Sequence, residues 1–161
     1  MLQRVNKGLQ STLKQHHESF IMNDGMDIAL LAIRFDEMKA TFAGANNPLW
    51  LIRKGELIEF PGSKMALDGQ TGEDIRFVDH EISLEKGDLF YLFTDGYADQ
   101  FGGPAAASGG KKFKYAQLKK LLCSLAHLSM AEQHYHLRNA LEQWQGGLEQ
   151  VDDILVVGIR I

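Results

Sequence analysis

The order of elements along this chain predicts an α+β layered sandwich within one domain, residues 1–161. Three observations carry that expectation. Strand-length apolar runs recur between Met26 and Thr94, two stretches with helical apolar spacing follow them, and a last apolar run from Ile154 returns the chain to a sheet. A length of 161 residues suits one domain with a sizeable core.

Leu2, Val5, Leu9 and Leu13 recur at three- and four-residue steps and predict an amphipathic helix over about 2–15. Asn23-Asp24-Gly25 is a turn signal. Met26 to Phe35 and Lys39 to Ala43 read as strands of a hairpin separated by Asp36-Glu37. Leu49 to Ile52 and Leu57 to Phe60 form a second hairpin whose turn falls at Gly55. Residues 61–75 read as a loop, and Phe77 to Ile82 as another strand. Lys86-Gly87-Asp88 turns the chain into Leu89 to Thr94, which is apolar on both faces and is an interior strand. Gly102 to Gly110, dense in Gly and Ala, is expected to be mobile and exposed. Leu118, Leu121, Leu122 and Leu125 mark one helix. Met130, Leu137, Leu141 and Trp144 mark a second, ended by Gly146-Gly147.

Composition narrows the class of function. The 45% hydrophobic content and three prolines indicate a globular fold, and a net charge of −4 gives no reason to expect a nucleic-acid partner. Cys123, the only cysteine, precludes an intramolecular disulfide and sits in an apolar run as a buried thiol, which suits the cytoplasm. No run is long enough for a membrane span, and the N-terminus lacks the apolar core of a signal peptide.

Two acidic motifs carry the chemistry. Phe93-Thr94-Asp95-Gly96 follows the interior strand, and Val151-Asp152-Asp153-Ile154 precedes the last one. A carboxylate where a buried strand meets a turn is costly to desolvate unless it is hydrogen-bonded or paired with a cation. The hard divalent ions are the usual partners of such oxygens.

These motifs, together with Asp24-Gly25-Met26-Asp27-Ile28-Ala29-Leu30 and Phe42-Ala43-Gly44-Ala45-Asn46-Asn47-Pro48-Leu49, resemble the sporulation stage II protein E-like branch of the metal-dependent, type-2C serine/threonine phosphatases. The resemblance runs from about Leu2 to Ile161. It implies an α-β-β-α sandwich with a two-metal Mg²⁺ or Mn²⁺ site. Asp95 matches the family's Asp-Gly aspartate and Asp152 the first residue of its C-terminal Asp-Asp pair, both metal ligands. Gly96 allows close approach beside the first ligand. Asp99 falls where some members hold a third metal, and Asp153 and Asp27 are further candidates around the centre. Such chemistry suits a phosphomonoester: the dianion resists an anionic nucleophile, and two cations acidify a water while neutralising phosphate oxygens.

The family's Asp-x-x-Gly-His-Gly motif has no counterpart here. The expectation is therefore the C-terminal part of the domain, N-terminally incomplete and inactive alone. The third metal's acidic partner is replaced by Asn46. The resemblance further implies a phosphoprotein substrate, an upstream sensor domain and, from uncovered sheet edges, a homodimer. The alternative is a non-catalytic interaction module on the same fold.

Plainer roles stand beside these. Asp95 can be a turn aspartate, Asp152 and Asp153 can cap a loop, and Asp99 can face solvent or cap a short helix. The six histidines read as structural, since His134 and His136 do not share a helix face. Lys111-Lys112-Phe113-Lys114 reads as a solvated basic face. Cys123 has no arginine six residues on, and neither a nucleotide-binding P-loop nor a Gly-x-Ser-x-Gly elbow occurs.

Overall fold

A computed structural model describes residues 1–14, 25–67, 76–104 and 109–161, with backbone only for 10–14. The chain divides into two compact units: residues 1–49 with 59–85, and residues 50–58 with 86–161. The Asn23-Asp24 half of the expected turn, Leu13's side chain, His16, His17 and residues 68–75 lie outside the described residues.

In the first unit, helix α1 (Leu2–Lys14) precedes β1 (Ile28–Arg34) and β2 (Lys39–Ala45), with β5 (Asp79–Ser83) completing a three-stranded sheet of order β1-β2-β5. β1 and β2 form the expected antiparallel hairpin, in register from Ile28 opposite Ala45 to Arg34 opposite Lys39. Leu2 is fully buried with Ala43, Ala45 and Leu67, and Leu9, Ile28 and Leu30 pack against them. Of the expected α1 stripe, Leu2 and Leu9 thus have a partner surface, whereas Val5 is exposed and the neighbouring Asn6 is buried. The expected loop 61–75 is more ordered at its start than its composition suggests. Ser63 bridges Ala45, and Leu67 bridges Met26. Gly44 and Gly62 permit this, because a Cβ on either would lie 2.2 or 2.6 Å from the Asn47 carbonyl oxygen.

The second sheet has the order β4-β3-β6-β9, built from β3 (Leu49–Arg53), β4 (Glu56–Phe60), β6 (Leu89–Phe93) and β9 (Val156–Arg160). β6 is interior, antiparallel to β3 on one side and to β9 on the other, which accounts for its two apolar faces. Tyr91, Phe93 and Trp50 join Phe113, Leu118, Leu122 and Leu137 in one core. The last four come from the segment that leads into α3 (Tyr115–Leu125), from α3 itself and from α4 (Met130–Gln145). Ser129 caps α4: its Oγ accepts from the Glu132 amide while the Glu132 carboxylate accepts from the Ser129 amide. Gly146 ends it at φ +58. Cys123 is a free thiol packed against this core, half-buried where a buried one was expected.

The stretch from Gly102 departs from expectation at its start. A two-residue ladder joins β7 (Phe101–Gly102) to β8 (Lys111–Lys112). Gly102 is buried, and its missing side chain is what lets the backbone reach α4, since a Cβ there would lie 1.8 Å from the Trp144 carbonyl oxygen. Glycine here serves close approach rather than freedom. Phe113, read as part of a basic face, is a core residue flanked by exposed lysines.

Candidate metal site

The carboxylates that sequence reasoning expected to be buried are not. Asp95, Asp152 and Asp153 are all exposed in this chain, so they carry no desolvation penalty. The buried acid is Asp88, 1% exposed, in what reads as a turn. Its two oxygens accept from Arg53 Nε at 2.8 Å and Nη2 at 2.6 Å, a bidentate pair that neutralises it without a metal. The register that sets Ile52 opposite Leu89 carries Arg53 to Asp88, a pairing that no sequence motif marks.

The two acidic motifs meet at the end of the second sheet where β6 and β9 run side by side, Phe93 opposite Val156. Thr94 extends the ladder beyond the last strand pair. Its amide donates to the Leu155 carbonyl at 3.0 Å. Its hydroxyl donates to the Asp153 carbonyl at 2.7 Å and accepts from the Leu155 amide at 2.9 Å. Helix α2 (Gly96–Asp99) starts immediately after. A Cβ on Gly96 would lie 2.4 Å from the Asp153 carbonyl oxygen and 2.9 Å from its carbon. Glycine at this position is therefore what allows the Asp95 turn and the Asp152-Asp153 segment to touch.

Asp95 occupies the N-cap position of α2, yet its backbone is helical and its side chain makes no cap hydrogen bond. A capping aspartate ordinarily has extended backbone and accepts from the first-turn amides. Asp95 is thus not a helix cap, and its plainer reading as a turn aspartate is unaffected by this. Asp152 Oδ1 accepts from the Asp153 amide at 2.7 Å, and its carbonyl accepts from Gln150 Nε2 at 2.7 Å.

The remaining candidates divide differently. Asp99 ends α2, and its Oδ2 pairs with Lys112 Nζ at 2.8 Å, so this half-exposed carboxylate already has a cation. Asp27 belongs to the first unit, where it accepts from Asn46 Nδ2 at 2.7 Å. His134 and His136 are exposed on α4, and His80 stacks on Phe42. Among the described residues, no group of three or more His, Cys, Asp or Glu side chains is arranged to hold a metal ion.

Burial dominates the titration of two tyrosines behind the site. It pushes Tyr91 up to about 12 and raises Tyr97 as well. The Tyr91 hydroxyl donates to Gln133 Oε1 at 2.6 Å and that of Tyr97 to the Leu137 carbonyl at 2.7 Å, so both serve α4 rather than the acids.

A family model described as Stage II sporulation protein E (SpoIIE) matches residues 1–161. Among solved structures, the chain is similar to the SiaA-PP2C domain of Pseudomonas aeruginosa, with 27% identity and a TM-score of 0.83 over 99% of this chain and 59% of that one. It is also similar to the phosphatase domain of the cell fate determinant SpoIIE from Bacillus subtilis, with 17% identity and a TM-score of 0.63, covering 99% of this chain and 66% of that one. The serine/threonine phosphatase PstP/Ppp of Mycobacterium tuberculosis matches with 15% identity and a TM-score of 0.61, covering 95% and 66%. The last two likenesses speak to fold alone. A search of curated protein sequences gave no match. The chain spans about three fifths of the SiaA-PP2C chain. With the family matched over its whole length and the α+β fold of type-2C phosphatase domains, the chain belongs to the SpoIIE family of metal-dependent, type-2C serine/threonine phosphatases.

Proposed function

We propose that these residues work within a single SpoIIE-like domain that hydrolyses phosphoserine and phosphothreonine monoesters on a signalling phosphoprotein, using Mg²⁺ or Mn²⁺. The observation that carries this reading is the contact of Gly96 with the Asp153 carbonyl, which joins two motifs 57 residues apart around an Asp95 carboxylate that caps nothing. Asp95 and Asp152 would hold the metal. Both are exposed hard-oxygen donors, as Mg²⁺ and Mn²⁺ prefer. Such ions supply a water of lowered pKa and neutralise charge on the phosphate.

This chain's own groups do the positioning. Thr94 fixes the Asp153 carbonyl, Gly96 leaves it room, and the Asp153 amide orients Asp152. Asp99 is a structural partner of Lys112 in this account, and Asp27 is anchored by Asn46. Two carboxylates are part of a ligand set. With no Gly-His-Gly in the sequence, a complete two-metal centre would draw further ligands from outside these 161 residues. An attached sensor module, a cytoplasmic setting suited to the free Cys123 thiol, and a homodimer joined through a sheet edge belong to the same proposal.

A second reading, a non-catalytic interaction module, is favoured by the missing motif and by the absence of a three-ligand cluster among the described residues. Hydrolysis of para-nitrophenyl phosphate with millimolar Mn²⁺ separates the accounts. The 161-residue chain is expected to show negligible turnover. The protein carrying its neighbouring encoded sequence is expected to release phosphate and to lose that activity in Asp95→Asn and Asp152→Asn. Inactivity of that longer protein would favour the interaction module. Turnover by the short chain that vanishes in Asp95→Asn would overturn the need for further ligands.

A further inference from the structure

Gln100 follows Asp99 directly and is fully buried. Its Nε2 donates to the Phe101 carbonyl at 3.1 Å and to the Glu149 carbonyl at 2.9 Å. Its backbone carbonyl accepts from the Trp144 indole at 3.1 Å and from the Phe113 amide at 3.0 Å. The Trp144 carbonyl in turn accepts from the Gly103 amide at 2.7 Å. Residues 100–103 therefore clasp both the end of α4 and the loop that leaves it.

That loop carries Asp152. Its early part is bonded back to α4 through Gln145 and Leu148, and its far end is held by Thr94 at Asp153 and Leu155. Between these ends, Gln150 bonds only within the loop. Among the described residues, the Gln100 amide makes the one hydrogen bond that ties residues 149–152 to the rest of the unit. Gln100 Oε1, meanwhile, is buried and has no donor. An orphaned buried acceptor is unfavourable, and an aliphatic side chain of the same size would avoid it. What glutamine provides here is its NH₂ group.

We propose that Gln100 is a positioning residue for the Asp95–Asp152 site: its bond to the Glu149 carbonyl fixes the loop where the Asp152 segment meets the Asp95 turn. The consequence for metal binding rests on the phosphatase reading above. The tether itself does not.

The test combines ¹⁵N relaxation with Mn²⁺ titration of the 161-residue chain. In the wild type, order parameters of residues 149–153 should approach the value of about 0.85 typical of rigid backbone, and in Gln100→Met they should fall below about 0.6. Gln100→Asn, too short to reach Glu149, should act alike and serves if the methionine variant does not fold. Trp144→Phe is the control: it removes the indole donor to the Gln100 carbonyl but leaves the Gln100–Glu149 bond. It should lower thermal stability while residues 149–153 stay rigid. The Mn²⁺ dissociation constant should rise about fivefold in Gln100→Met, the worth of one neutral hydrogen bond, and stay unchanged in Trp144→Phe. A folded Gln100→Met with loop rigidity and Mn²⁺ affinity of the wild type would overturn the proposal. Failure of the wild type to bind Mn²⁺ would count against the metal reading, and the relaxation result would still decide the role of Gln100.

Discussion

Replacing Gly96 by alanine should split the candidate site at its tightest point. The added Cβ would lie 2.4 Å from the Asp153 carbonyl oxygen, where ordinary contacts begin at 3.4 Å, so the loop must retreat by about 1 Å. The same carbonyl accepts from Thr94 Oγ1 at 2.7 Å, and such a retreat carries that bond out of hydrogen-bonding range. Overpacking costs about 1–3 kcal/mol and the lost bond about 1 kcal/mol more. The sum, about 3 kcal/mol, corresponds to a fall in Tm of roughly 6–12 °C for a chain of this size. Gly147→Ala is the control, since nothing lies within 4 Å of the atom it adds, and it should stay within about 0.5 kcal/mol of the wild type. Thermal unfolding followed by circular dichroism gives the shift, and ¹⁵N spectra report whether the Asp152 and Asp153 amides move. If Gly96→Ala melts with the wild type and leaves those amides in place, the Asp95 turn and the Asp152 segment do not touch.

Three further outcomes follow from the same geometry. Arg53→Leu strands the buried Asp88 carboxylate and should cost about 3 kcal/mol in urea unfolding, with much of the loss recovered in the double variant Arg53→Leu/Asp88→Leu; a double variant no more stable than the single would contradict this. At alkaline pH, Tyr91 keeps its proton up to about 12 in the folded chain but ionises near 10 when unfolded. The unfolded state therefore binds fewer protons in that window, and stability falls as pH rises, by about 1 kcal/mol per buried tyrosine between pH 10 and 11. Denaturant unfolding at those two pH values is the check, and a Tyr91→Phe variant with an undiminished slope would refute the assignment. For self-association, Leu155 and Val157 are 56% and 40% exposed on and beside edge strand β9. Light scattering should then find a dimer at high micromolar concentration, weakened by Val157→Lys; a monodisperse monomer would remove β9 as a contact.

Much of the fold was legible because one periodicity governed each element. Leu2 and Leu9 marked the covered side of α1, although Val5 between them is exposed, and the unbroken run Leu89 to Phe93 announced an interior strand. The segments of Asp95 and Asp152 were legible as strand ends because short motifs marked them, and β6 and β9 bring those two segments together. Contacts set by tertiary register were not legible. Asp88 looked like a turn residue until Arg53 stood across from it, and Gly102 looked like the start of a mobile, exposed stretch until Trp144 lay against it. Gln100 gave no signal at all, since a single amide in a polar-looking segment says nothing about a partner 49 residues away. The burial expected of the acidic motifs failed because strand ends at a sheet margin open to solvent, however apolar the strand behind them.

The central claim is that Asp95 and Asp152 share one divalent ion. Substoichiometric Mn²⁺ added to ¹⁵N-labelled chain tests it most directly, because paramagnetic broadening falls steeply with distance from the ion. Broadening is expected to centre on Asp95, Gly96, Asp152 and Asp153 and to be abolished in Asp95→Asn and in Asp152→Asn alike. Broadening centred elsewhere, or surviving either substitution undiminished, would contradict it.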